Sequence, residues 1–144
     1  MFGRREKVRN LGVTRGAWGE AVAVEYLRRN GYEIIDRNSR PVAKDLRLEI
    51  DIVAWDREAD EMVFIEVKQH AAHSPYERRL RSVDRGKRLN LRRACNWWRR
   101  MNRWFGAYRF DVIEIYGTPG TVPEIDHIPD VWLFADRGKF VRWR

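Results

Sequence analysis

A chain of 144 residues with 29 lysines and arginines against 21 acids and a formal net charge of +8 is expected to fold as one domain that buries about two-thirds of its unfolded-state surface. Its single cysteine, Cys95, excludes an internal disulfide and any multi-cysteine metal site. No apolar run approaches the ~18 residues of a membrane span and the basic N-terminus lacks the apolar stretch of a signal peptide, so a cytoplasmic protein with no membrane partner is expected.

Residues 1–13 read as a basic arm. Thr14 is placed to cap a helix running to about Asn30, with Gly31 as its stop. On a helical projection Ala17, Ala21, Val24 and Leu27 form one apolar stripe, and Glu20 lies inside it, between Val24 and Leu27. A carboxylate on a core-facing stripe needs a partner; the plainer alternative is an ordinary cap or ion pair at the stripe's edge. Tyr32 to Arg37 reads as a first strand, and Asn38 to Arg47 as a loop containing Pro41.

A hairpin follows: Glu49 to Trp55, a polar turn from Asp56 to Glu61, then Met62 to Lys68. Strand side chains alternate between faces, so Glu49, Asp51, Val53 and Trp55 share one face, as do Met62, Phe64, Glu66 and Lys68 on the returning strand. If Trp55 meets Met62 and Val53 meets Phe64, the same register sets Asp51 opposite Glu66 and Glu49 opposite Lys68. The other face, with Leu48, Ile50, Ile52 and Ala54 beside Val63, Ile65 and Val67, is apolar throughout, as in a sheet covered on both sides. Facing carboxylates resist desolvation unless a proton or cation lies between them. Oxygen ligands without a nearby cysteine or paired histidine favour Mg²⁺ or Mn²⁺ over zinc. The competing reading is that Glu66 and Lys68 form an exposed ladder ion pair, worth at most about 1 kcal/mol.

After a polar stretch with His73, Ser74 and Pro75, a helix is expected from near Ser82 to about Asn102. Leu91, Cys95, Trp98 and either Met101 or Asn102 follow its inward face. Between Arg78 and Arg103 the only acid is Asp84, so the basic excess is concentrated in one segment. Arginine, which forks onto phosphates and stacks on bases, dominates it. Arg109 to Tyr116 reads as a strand, Gly117 to Pro123 as a turn and Glu124 to Ile128 as a short strand. Val131 to Phe134 and Phe140 to Trp143 are expected to form a last hairpin, the second strand lying in a basic tail, 135–144. The order of elements predicts an α/β arrangement with a central mixed sheet. His70, His73 and His127 are too scattered to suggest a site and are expected to be structural. Trp97, Trp98 and Trp104 offer stacking surfaces for unpaired bases, but their helical spacing favours a place in the core.

Several ordered blocks resemble the YraN-like family of small bacterial proteins: Gly16-Ala17-Trp18-Gly19-Glu20, Gly31-Tyr32-Glu33-Ile34-Ile35, Glu49-Ile50-Asp51-Ile52-Val53-Ala54, Val63-Phe64-Ile65-Glu66-Val67-Lys68, Arg109-Phe110-Asp111-Val112 and Ile125-Asp126-His127-Ile128. The likeness spans roughly residues 14–134. It departs from the family pattern at Leu48, where a glycine is usual, at His70, where a basic residue is usual, and in a longer loop before Leu48. The family resembles the restriction-endonuclease-like superfamily and, within it, archaeal Holliday junction resolvases. That resemblance implies a restriction-endonuclease-like core with a mixed β-sheet flanked by helices. It makes Glu20, Asp51, Glu66 and Lys68 the catalytic set, with Asp51, Glu66, the Val67 carbonyl and Glu20 holding Mg²⁺ or Mn²⁺.

The expected function is metal-dependent hydrolysis of phosphodiester bonds in nucleic acid, DNA before RNA, with branched or structured substrates in view. A four-way junction would require two active sites and hence a homodimer. Glu49 is expected to balance Lys68 rather than hold a second metal. Arg78, Arg79, Arg81, Arg85, Lys87, Arg88, Arg92 and Arg93 are the expected phosphate contacts. The rival readings are a non-catalytic nucleic-acid-binding module that keeps the fold, and an interaction protein that binds an acidic partner through its basic surface.

Overall fold

The computed structural model describes residues 15–71 and 85–131, with the backbone alone at Arg15 and Arg85. Helix α1 spans Arg15–Arg29 and stops where Gly31 enters the left-handed region at φ 89°, the conformation a glycine adopts without steric cost. Thr14 lies outside the described residues. The buried face of α1 is Gly19, Ala23, Val24 and Leu27, whereas Ala17 and Ala21, expected inward, are exposed. Trp18, Val22 and Tyr26 pack against the core's edge, and they have more apolar surface to bury than two alanines, which rotates the helix toward them. A Cβ on Gly19 would lie 3.0 Å from the Gln69 Oε1, so a small residue lets α1 sit close to the sheet.

Five strands follow: β1 Tyr32–Ser39, β2 Ile50–Asp56, β3 Glu61–His70, β4 Tyr108–Tyr116 and β5 Glu124–Ile128. They lie in the order β1-β2-β3-β4-β5. β1 runs two residues further than the apolar pattern indicated, and its pairing with β2 slips between Ile34 and Asp36. β2 and β3 pair antiparallel in the expected register, Trp55 opposite Met62 and Val53 opposite Phe64. Asp56 closes their turn, its carboxylate accepting the Glu58 and Ala59 amides at 3.1 Å. β3 and β4 are parallel and β4 and β5 antiparallel, so the sheet is mixed. The parallel pair requires a crossover, and helix α2, Arg85–Met101, lies within it.

The helices cover opposite faces. Ala23, Val24 and Leu27 of α1 pack on Ile52, Ala54, Val63, Ile65, Ile113 and Ile115. Leu91, Ala94, Cys95 and Trp98 of α2 pack on Val53, Phe64, Tyr108, Phe110 and Val112. Leu48 and Ile50, expected beside Ile52, join the α2 layer instead. The inward face of α2 ends at Trp98, and Met101 and Asn102 are both exposed. The helix stops in a Schellman turn: Arg103 adopts φ 52°, its amide bonds the Arg100 carbonyl, and the Trp104 amide bonds the Arg99 carbonyl at 2.8 Å. Trp104 then folds back edge-on against Trp55, 5.3 Å between ring centroids, and packs against the core beneath α2.

A polar network is buried under α1. Fully buried Asp111 accepts Arg109 Nε and Nη2 at 2.9 and 3.1 Å, His127 Nε2 at 2.8 Å and the Asp130 amide at 2.9 Å. Arg109 also reaches Asp56 and Glu61 at 3.0 and 2.8 Å, and His127 Nδ1 meets the Tyr26 hydroxyl at 2.9 Å. Val131 belongs to no strand; the remainder of the expected last hairpin, both terminal segments and His73 lie outside the described residues. No helix among the described residues is long and apolar enough to cross a membrane.

Candidate functional site

The β2–β3 ladder ends at the Ile52–Ile65 pair. One residue further along β2, the Asp51 carboxylate reaches into the opening gap and accepts the Val67 amide at 2.8 Å, replacing a backbone acceptor with a side chain. Asp51 therefore does not sit opposite Glu66 on a continued ladder as the register implied. The two carboxylates instead line one cleft of about 410 Å³, together with Glu49, Lys87 and Asn90. Departure of β2 from β3 also carries Glu49 away from Lys68: among the described residues its ion-pair partner is Arg40, at 3.8 Å. The expected Glu49–Lys68 balance is not formed. The same departure ends the strict alternation of faces and explains why Ile50 faces α2 while Ile52 faces α1.

Glu66 is buried and its Oε2 holds two ammonium groups, Lys68 Nζ at 3.1 Å and Lys87 Nζ at 2.9 Å. Lys87 was expected only as a phosphate contact; α2 delivers it into the centre of the site. A signal for it exists in the sequence, since it is the one lysine among the arginines from Arg78 to Arg103. Burial and the neighbouring Lys87 hold the Lys68 ammonium below the usual lysine range. For Lys87, burial opposes the charge, but hydrogen bonding with Lys68 and the charge of Glu66 hold its pKa above the usual value.

Glu20 comes from the inward side of α1. Its Oε1 accepts Asn38 Nδ2 at 2.9 Å and lies 3.6 Å from Arg37 Nη2. Asn38, expected in the loop after β1, is instead near the end of that strand with φ 50°, a conformation asparagine tolerates well. A second cavity, of about 350 Å³, is lined by Glu20, Asn38, Asp51 and Val67 with Gly16 and Ala17. Asp51 is the wall common to both cavities. Burial raises the Glu20 carboxyl above its ordinary pKa, against the pull of Asn38 and Arg37 and helped by the charge of Glu49. Burial and the adjacent Glu66 push Asp51 up to about 7, the Val67 amide opposing and Glu20 and Glu49 adding. Asp51 thus feels the negative charge of three other carboxylates, Glu66, Glu20 and Glu49, across the two cavities.

Among the described residues, no three His, Cys, Asp or Glu side chains converge into a ready-made metal cage. The donors that could hold a cation are spread around Asp51: Glu66 on one side and Glu20 on the other. The Val67 carbonyl leaves the strand on the same edge as the amide that meets Asp51. This is an all-oxygen, negatively charged set, and a hard divalent cation offsets the burial and the repulsion that together raise Asp51.

Of the expected phosphate contacts, Arg88 and Arg93 are exposed on α2 and Arg92 is half-buried. Arg78, Arg79 and Arg81 lie outside the described residues, as does the side chain of Arg85. Trp98 is core, edge-on to Phe64 at 5.6 Å, while Trp97, expected in the core, is exposed. His70 Nε2 is bonded to buried Glu114.

Comparison with known proteins places the sequence in a family. The model of the uncharacterised protein family UPF0102 matches residues 19–115, a stretch containing Glu20, Asp51, Glu66, Lys68 and Lys87. A UPF0102 protein of Rhodococcus opacus is 36% identical over 118 residues, covering 81% of this chain and 94% of its own. Another, from Syntrophotalea carbinolica, is 39% identical over 121 residues, 79% of this chain and 87% of its own. One from Clostridium kluyveri is 37% identical over 119 residues, 81% and 92% of the respective chains. The chain belongs to the UPF0102, YraN-like family of small bacterial proteins.

Proposed function

We propose that this protein is a nuclease that hydrolyses phosphodiester bonds in DNA, branched or structured DNA in particular, with Mg²⁺ or Mn²⁺. The observation that carries this reading is the placing of Asp51 beside Glu66 and Lys68 at the point where β2 leaves β3. Asp51, Glu66, the Val67 carbonyl and Glu20 would hold the cation, which supplies activation of water and neutralisation of charge on the scissile phosphate. Lys68 orients the attacking water and, as its ammonium, stabilises negative charge that develops on the phosphate. Lys87 does the same from the α2 side, and its bond to Glu66 fixes that carboxylate's orientation. Arg88, Arg92 and Arg93 supply salt-dependent affinity along the same helix.

The reading is tested by incubating wild type, Asp51→Ala and Asp51→Asn with single-stranded, duplex, flap and four-way-junction DNA and structured RNA, in Mg²⁺, Mn²⁺ or chelator. Metal-dependent cleavage by wild type, slowed several-hundredfold or more in both variants, is expected. Asparagine is the cleaner substitution because its side-chain carbonyl can still accept the Val67 amide.

One observation favours a second reading, a binding module without catalysis: Glu66 is already engaged by two lysines. It predicts the same DNA affinity with and without metal and no cleavage of any of these substrates.

A further inference from the structure

We propose that the outward face of α2 carries a stacking site for unpaired bases, built on Trp97. This rests on the nucleic-acid reading of the neighbouring site, whose substrates it narrows to those with a single-stranded part. Trp97 is 41% exposed and Met101, one turn on, 60%. Both lie on the exposed flank of the helix, beside the core face formed by Leu91, Ala94, Cys95 and Trp98. The other two tryptophans near the end of the helix are accounted for. Trp98 Nε1 donates to Asp36 at 3.3 Å, and Trp104 Nε1 donates to the Ala107 carbonyl at 3.0 Å. Packing within the described residues does not account for Trp97 in the same way.

The surroundings of Trp97 identify its ligand. The Arg100 guanidinium lies over its ring, 5.1 Å from the centroid, and Arg93 is one turn before it on the same face. An exposed indole held by one guanidinium and preceded along the helix by another combines an aromatic platform with cations for the flanking phosphates, the pairing used on single strands. Pairing this ridge with a second copy of itself across a two-fold axis would set arginines against arginines, which disfavours self-association as its purpose. The ridge also lies on the element that enters the cleft. Ten residues separate Lys87 from Trp97, about 15 Å along the helix axis, so one strand can have a phosphate at Lys87 and a base on Trp97. Duplex DNA, whose bases are stacked on each other, has none to offer.

The test is fluorescence anisotropy in chelator, so that cleavage does not enter, with a labelled oligothymidylate and a blunt duplex of equal charge. Wild type, Trp97→Ala, Trp97→Leu and Trp97→Phe are compared after circular dichroism shows each folded. The ratio of single-strand to duplex affinity is expected to fall about five- to a hundredfold in the Ala and Leu variants and to recover largely with Phe. An unchanged ratio, or equal rescue by Leu and Phe, overturns the stacking site while leaving the nucleic-acid reading in place. Failure of wild type to bind either oligonucleotide at low salt overturns both. Concentration-dependent dimerisation in light scattering that is lost in Trp97→Ala, without a change in the ratio, assigns the ridge to a second copy and overturns the proposal.

Discussion

Replacing Asp111 with alanine removes the acceptor that joins β4, β5 and, through His127 and Tyr26, helix α1. Four donors lose their partner: two Arg109 nitrogens, His127 Nε2 and the Asp130 amide. Removing one member of a buried charge pair costs about 3–5 kcal/mol. Arg109 keeps its contacts with Asp56 and Glu61 and so is not left uncompensated, which places the expected loss near the lower end, about 3 kcal/mol. For a chain of this length that corresponds to a melting temperature lower by about 10 °C. Burial alone would raise the Asp111 carboxyl, but His127, Arg109 and the Asp130 amide outweigh it and hold it below its usual value of 3.8. A depressed pKa contributes stability that is complete above 3.8 and is lost as acid titrates the folded carboxyl. The difference between wild type and variant should therefore be constant near neutrality and shrink below about pH 4. Urea unfolding followed by tryptophan fluorescence at several pH values measures both effects. A loss under about 1 kcal/mol, or one that grows as pH falls, would refute the account of Asp111 as an ionised keystone.

Lys87→Ala is expected to slow cleavage about 10–100-fold through lost stabilisation of the phosphate's charge, whereas Arg88→Ala and Arg93→Ala should each only reduce the salt slope of binding by about one; single-turnover rates and a salt titration separate the two behaviours. Cys95 is fully buried on α2 with its thiol pushed well above the usual range by burial, so the native protein should leave a thiol reagent unconsumed and the urea-unfolded protein should consume one equivalent.

The central hairpin was legible because its charges interrupt an otherwise apolar alternation, and the pairing of Trp55 with Met62 and of Val53 with Phe64 follows from matching its apolar ends. The site was legible for the same reason: charged residues at Glu20, Asp51 and Glu66 stand where burial would favour apolar ones. What periodicity could not reveal is the departure of β2 after Ile52, because a strand that leaves its neighbour keeps the same local sequence pattern. Glu49 was misassigned to Lys68 on that account. The rotation of α1 and the exposure of Trp97 escaped for a related reason, as hydrophobicity alone does not say which of several apolar residues on a helix finds a partner. Asp111, within a family-like block, was recognisable as a motif, but its role as a network acceptor depends on His127 and Asp130, far away in sequence.

The two ammonium groups on Glu66 also bear on how the chain reaches its final state. The hairpin is local in sequence and carries Asp51, Glu66 and one of the two lysines, Lys68. Lys87 comes from the crossover, which is closed by the pairing of β4 with β3, a contact of high sequence separation. Burial, the first cause of the raised Asp51 pKa, belongs to the closed domain, and the second ammonium on Glu66 is supplied by the same closure. Chain fragments ending before Tyr108 should populate the hairpin poorly, because two strands alone are marginally stable in water, and the cleft, walled by Lys87, Asn90 and Leu91 of α2, should exist only in molecules that have completed the sheet.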